Sequence, residues 1–397
     1  MEKEKLKEIV ENTISGEWGT EEKKDENDIF VIRTADFFND GRINYNNVIK
    51  RNIAKRKIEE KSLKIGDIIV EKSGGTDKNP VGRVVLFERE NYKGLANNFT
   101  QVLRIKKEYY YKFIFYQLLY KYKNGSTLQM FNKTTGIQNL QMKLYLNQEL
   151  NVCDKKEQIK ISNLLDKVQE IIDISEKQVE HLDELIKSQF VEMFGMPLEN
   201  SKNWKVELAD DVCLKITDGS HFSPKDEGEG YAMLSVKDMR NDGFHYENCK
   251  HVSKESFEIL KNQKCVPEIN DVLISKDGSY FYYGFVVKEN KEEAVLSSIA
   301  ILKPDIKTIN PIFLCNYMLS ESIVKYVADH YVTGAALKRV ILKGIKKIPV
   351  MVPPIELQNK FAKFVEQIDK QKFEIQKSLE EMQLLQESLM NSYFGEM

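Results

Sequence analysis

The stretch EQIKISNLLDKV (157–168) has a counterpart in LQNKFAKFVEQI (357–368), 200 positions further on. Gln158 matches Gln358, Lys160 matches Lys360, and the apolar positions coincide. The offset holds without a gap through Lys177/Lys377, Glu180/Glu380, Leu185/Leu385 and Ser188/Ser388 to Phe194-Gly195 and Phe394-Gly395. Upstream it persists with small shifts where loops change length. VIRTADFFNDG (31–41) lies over MLSVKDMRNDG (233–243), and LKIGDIIVEKSG (63–74) over PEINDVLISKDG (267–278). YKFIFYQLL (111–119) lies over PIFLCNYML (311–319), and Thr135-Gly136 over Thr333-Gly334. An ordered series of this kind is an internal duplication. The chain is two copies of one unit, each a globular region followed by a long helix.

Residues 157–193 hold no Pro or Gly, and their apolar residues recur at alternating spacings of three and four. The seam reads Leu165, Val168, Ile172, Val179, Leu182 and Ile186. Its copy reads Val365, Ile368, Ile375, Leu379, Met382 and Leu389. Such spacing over several heptads predicts a coiled coil, with the polar Ser175, Gln189, Lys372 and Gln386 interrupting the stripe. Each helix would run roughly 55 Å at 1.5 Å per residue. The plainer alternative is a pair of amphipathic helices, each packed on its own globular part.

The globular parts predict a mixed α/β (α+β) fold. Short β-rich runs at 67–70, 82–87, 271–275 and 284–287 are separated by Gly, Asn and Asp turns. Helical stretches follow at 110–122 and 310–328. Pro353-Pro354 ends what precedes it and opens the second long helix. The first copy has Asp154-Lys155 there, and it lacks the NWKV entry of residues 203–206, so its first strand is expected to be truncated or formed differently. The expected division is 1–153, 154–196, 197–353 and 354–397. Two globular domains are separated by two long antiparallel helices, with pseudo-two-fold symmetry.

Composition narrows the function. No apolar run approaches the ~20 residues of a membrane span, and MEKEKLKEIV has no signal-peptide core, so a cytoplasmic location without membrane contact is expected. The five Cys and five His are dispersed, with no CxxC or HExxH spacing, so no metal site is expected. A net charge of −2 excludes a polycation that holds nucleic acid by charge alone. That total conceals an asymmetry. Residues 1–153 carry 27 basic and 21 acidic side chains, whereas residues 197–353 carry 21 and 22.

KSGGTDKNPVG (72–82) follows an apolar strand and has the look of a phosphate cradle. It lacks the GK[ST] ending, and its copy KDGSYFYYG (276–284) replaces the middle entirely. The loop therefore reads as a connection between strands with a variable interior. Asn79-Pro80-Val81 and Asn310-Pro311-Ile312 do not fit the NPPY-type tetrad of an amino-methyltransferase, and no nuclease-like carboxylate–lysine cluster stands out.

The duplicated NDG and (G/N)D(I/V)(I/L) blocks, the Thr-Gly passage into a long helix, IPVMVPPIELQNKF (348–361), and the endings SQFVEMFG and NSYFGEM together carry a resemblance. The whole chain resembles the specificity subunit of Type I restriction-modification systems. The resemblance implies two target recognition domains, each reading half of a bipartite double-stranded DNA site. It implies helices that set the spacing and dock two methyltransferase subunits, and two restriction subunits where these exist. It also implies no catalysis and no cofactor in this chain: S-adenosylmethionine would sit in the methyltransferase partner, and ATP and Mg in the restriction partner. Two alternatives stay open, a coiled-coil scaffold for protein partners only and a specificity subunit of another restriction-modification type.

Candidate DNA contacts follow from basic runs and from places where the copies diverge. In KRNIAKRKIEEK (50–61) they are Lys50, Arg51, Lys55, Arg56, Lys57 and Lys61, with Lys338 and Arg339, near Lys343, Lys346 and Lys347, as the nearest equivalents in the second copy. In the glycine loops they are Lys72, Ser73 and Lys78, and Lys276, Ser279, Tyr280 and Tyr282. The divergent segment DGSHFSPK (218–225) adds Ser220, His221 and Lys225.

Overall fold

Four strands that pair in the same order recur in each copy of the duplication. The computed structural model describes residues 2–395 apart from 135 and 335–337, so Thr135 and the start of the segment after Gly334 lie outside the described residues. The chain divides into two units, residues 1–175 with 378–397, and residues 176–377.

In the first unit an antiparallel sheet runs in the order Val10–Ser15, Thr100–Ile105, Asp67–Glu71, Val84–Phe87. In the second the order is Cys213–Asp218, Ile299–Pro304, Val272–Ser275, Gly284–Val286. A three-stranded sheet accompanies each one. Asp28–Ile32 lies between antiparallel Ile49–Asn52 and parallel Gly94–Ala96, just as Tyr231–Leu234 lies between Lys250–Val252 and Glu293–Val295.

Strand alternation explains why the central strands are apolar throughout. Ile68 and Val70 face one core with Phe113 and Leu118, while Ile69 faces another with Val85 and Phe87. Val272 and Ile274 join Phe313 and Leu314, while Leu273 joins Val295 and Ile301. A strand buried on both faces loses the polar half of its two-residue period. The acidic residues that open these strands serve the turns. Asp67 accepts from the Lys64 amide at 2.7 Å and Asp271 from the Glu268 amide at 2.8 Å. Asp36 and Asp238 do the same for Arg33 and Ser235, each at 2.8 Å.

Two sequence expectations need correction. The first copy's opening strand is neither truncated nor differently formed: Glu2–Lys5 pairs with Glu149–Val152 as Lys205–Leu208 pairs with Pro349–Val352. Backbone pairing tolerates the charged EKEK because three of its four side chains face solvent. The stretch 310–328 is two helices, Pro311–Met318 and Glu321–His330, broken where the Ser320 hydroxyl bonds back to Tyr317 O at 2.7 Å.

The long helices are Lys155–Phe194 and Ile355–Phe394, 40 residues each. Asp154 substitutes for the proline pair as N-cap, accepting from the Glu157 amide at 3.1 Å. Just inside each start, the matched glutamine is buried and welds helix to globular part. Gln158 accepts from the Tyr110 amide (2.7 Å) and donates to Cys153 O (2.8 Å). Gln358 accepts from the Asn310 amide (2.8 Å) and donates to Thr308 O and Pro353 O.

The helices pack antiparallel within each unit. In the first, Ile161 and Leu165 share a core with Met390 and Phe394. In the second, Ile186 and Phe190 share one with Phe361 and Val365. Every seam position is buried or half-buried. The C-terminal aromatics are also docking residues, Phe394 against Phe113 at 5.3 Å between ring centroids and Phe194 against Phe313 at 4.7 Å. The pairing and the packing on globular parts thus coexist: the end of each helix is seated on the globular part of the other copy.

Candidate nucleic-acid interface

At one end of each four-stranded sheet three segments converge: the turn after the first strand, the glycine loop after the central strand, and the hairpin before the last short helix. The turn needs a glycine. A Cβ on Gly16 would lie 1.7 Å from Asn97 O, and one on Gly219 would lie 2.1 Å from Val295 O. The glycine loops are clamped alike. The Lys72 amide donates to Phe99 O (2.9 Å) and Lys72 O accepts from the Leu140 amide (2.8 Å). The Lys276 amide donates to Ser298 O (2.9 Å) and Lys276 O accepts from the Val340 amide (2.9 Å).

In the first unit the turn presents Glu17 and Trp18. Glu17 accepts from Lys57 (2.8 Å) and Lys61 (3.1 Å), and the Lys57 bond first of all holds its carboxyl below the usual range. The Arg51 guanidinium lies 4.5 Å over the Trp18 ring, and Lys50 lies 5.4 Å over Phe30. Lys55 is exposed on the short helix Lys55–Lys61, where Arg56 pairs with Glu60 at 2.8 Å in open solvent. Lys72 is half-buried. Burial, and then the Lys61 ammonium, hold its ammonium below the ordinary lysine range. The Ser73 hydroxyl bonds Asn139 at 2.5 Å, and Lys78 is exposed.

The sequence profile of the Type I restriction modification DNA specificity domain matches residues 1–184 and again residues 201–384. The chain belongs to that family.

This specificity subunit also shares its fold with solved relatives. One is the crystal structure of a Type-I restriction-modification S subunit from M. genitalium, with TM-score 0.57 and 16% identity over 100% of this chain and 96% of that one. Another, with TM-score 0.53 and 16% identity over 99% and 97%, comes from a study of complex assembly and conformational transition of the type I R-M system. No curated protein matches its sequence. Among its described residues no helix is long and apolar enough to cross a membrane, and no cluster of His, Cys, Asp or Glu is set to hold a metal ion.

In the second unit of the specificity subunit several sequence candidates are held inside the frame. Lys276 is only 6% exposed and lies between Asp218 (3.3 Å) and Asp277 (3.6 Å), an internal ion. Ser220 is buried too: its amide bonds Val295 O at 2.8 Å and its hydroxyl Phe222 O at 2.7 Å, so it shapes the turn. Tyr280 packs against the core. The counterpart of 49–61 is Lys250–Val252 with the helix Lys254–Asn262, not Lys338 and Arg339. Those two belong to the hairpin beside the glycine loop, where Lys338 O accepts from the Gly278 amide at 2.8 Å and the Arg339 backbone forms an antiparallel β-bridge with that of Asp277.

What remains open to a ligand there is Tyr282, His221, Lys225, Ser279, Lys338 and Arg339. His221 Nε2 lies 3.3 Å from Asp218. Tyr282 is 67% exposed and rigidly presented. Its amide and that of Tyr283 donate to the Ser275 hydroxyl, and Phe281 is buried with φ of +53°, a costly conformation for a bulky residue. Trp18 and Glu17 escaped the sequence-based choice of contacts. The signal was present in the match of SGEWGT (15–20) to DGSHFS (218–223) around the two essential glycines.

Proposed function

We propose that each globular domain (residues 1–153 and 197–353) reads one half of a bipartite double-stranded DNA target. On this reading the long helices set the distance between half-sites and dock two methyltransferase subunits, with two restriction subunits joining where the system has them. The subunit works in the cytoplasm and has no catalytic residue of its own. S-adenosylmethionine belongs to the methyltransferase partner, and ATP and Mg to the restriction partner.

The observation that carries this reading is a common frame with divergent tips. The two sheets, their clamped glycine loops and their glycine-dependent turns superimpose in connectivity, while the presented side chains differ: Trp18 with Arg51 in one, His221 and Tyr282 in the other. Identical frames with different tips suit two different half-sites, where phosphate contacts position and base-edge contacts specify.

The test is a gel-shift of the subunit with and without its methyltransferase partners, together with the methylation motif of the host genome. Sequence-selective binding and a two-part motif are expected. No selective binding in either state, with partner capture retained, would leave a protein scaffold as the function. Shortening 165–193 and 365–393 by a heptad each should shorten the spacer of the motif and leave both half-sites unchanged.

A further inference from the structure

The lysine that ends the central strand occupies the same place in both units, yet its surroundings differ in charge. Lys72 and Lys276 share their backbone partners on both sides, as given above. Lys276 is neutralised by Asp218, which precedes the turn glycine Gly219, and by Asp277, which follows it in the chain. In the first unit both acids are replaced by serine. Ser15 precedes Gly16, and Ser73 follows Lys72 and turns its hydroxyl to Asn139. Among the described residues no carboxylate pairs with the Lys72 ammonium.

The neighbouring helices differ in the same direction. Lys55–Lys61 carries four basic and two acidic residues, whereas its counterpart Lys254–Asn262 carries two of each. Glu17 is shared by Lys57 and Lys61, so one acid faces two cations. A half-buried ammonium with no carboxylate partner is a poor arrangement for the free protein and a good one for an anion.

Resting on the DNA-reading function above, the geometry points to an unequal division between the two units: Lys72, with Lys57 and Lys61, grips a DNA phosphate, while the equivalent Lys276 is a structural ion that never meets DNA. The first unit supplies most of the salt-dependent affinity. The second reads its half-site through the uncharged and aromatic tips that its neutral frame presents. The excess of basic over acidic residues in 1–153, absent from 197–353, agrees with this division.

The test uses the full chain assembled with its methyltransferase subunits. Binding to a fluorescent random-sequence duplex is followed by anisotropy across a salt series, with Tm as a check on folding. Lys72→Gln should weaken binding at every sequence and lower the slope of log K against log salt by about 1. Ser15→Asp, which rebuilds the second unit's pairing while keeping the lysine, should do the same. Lys276→Gln should leave the slope unchanged and lower Tm. Unchanged slopes for both first-unit variants, or a slope lowered by Lys276→Gln at unchanged Tm, would overturn the division. Weakened capture of methyltransferase subunits by Lys72→Gln, with DNA slopes intact, would do so too by making the anion a protein carboxylate. Absence of DNA binding by the unaltered complex would instead remove the underlying function together with this inference.

Discussion

Gln169 and Gln386, on the two long helices and 217 positions apart, join their side-chain amides at 2.9 Å between the paired helices of the first unit. In the second unit Lys372 meets Asp183 at 2.5 Å. A polar pair in a seam fixes register, because any slip leaves its groups buried without partners. Single replacement Gln169→Leu or Gln386→Leu should cost about 1–3 kcal/mol by stranding the other amide, and the double replacement should recover most of it. A double-mutant cycle in urea measures this, and additive single effects would show that the bond contributes nothing.

The buried glutamines at the helix starts predict local rather than global damage. Gln158→Ala leaves the Tyr110 amide and Cys153 carbonyl unpaired, and Gln358→Ala leaves Asn310, Thr308 and Pro353 so. Each should cost about 1–3 kcal/mol. Hydrogen exchange should speed up at 111–123 in the first variant and at 311–318 in the second. Equal changes in both units would contradict the assignment.

The two turn glycines should tolerate no side chain. Gly16→Ala and Gly219→Ala each drive a methyl group into a backbone carbonyl. A fall in Tm of several degrees is expected for each, on the order of 2 kcal/mol or more. An unchanged Tm would mean that the turn moves freely.

Ser275→Ala should separate presentation from stability. Its hydroxyl holds the Tyr282 and Tyr283 amides and donates to Ser279 O at 2.6 Å. The variant should lose about 1 kcal/mol of stability. It should also blur recognition of one half-site and leave the other intact, as read from methylation of a randomised-site DNA library. Blurring of both half-sites would contradict the independence of the units.

The C-terminal aromatics predict large effects. Phe394→Ala empties a fully packed site against Phe113, and Phe194→Ala one against Phe313 and Phe361. Each should cost about 3–5 kcal/mol, measured by denaturant unfolding.

Much of this was legible in the chain. The 200-residue offset, the gap-free helices and the short β-rich runs of 67–70 and 271–274 are local patterns, and local patterns survive in one dimension. The helix break at Ser320 was not legible, because one hydroxyl bonding back to Tyr317 decides it. The opening strand of the first copy was hidden because EKEK has no apolar signature, and its pairing rests on backbone hydrogen bonds. Among the site residues, Lys50, Arg51, Lys55, Arg56 and Lys57 were visible as a basic run, but Trp18 was not. Its meeting with Arg51 depends on how the turn folds back over the three-stranded sheet.

The sequence by itself determined the duplication, the long paired helices and the mixed fold of each unit, since periodicity and repetition are properties of order along the chain. Only the tertiary structure decided which cations are free. Lys72 and Lys276 read alike in sequence, and the difference between a ligand-seeking ammonium and a buried ion lies in Asp218, brought to Lys276 by the pairing of strands far apart in the chain.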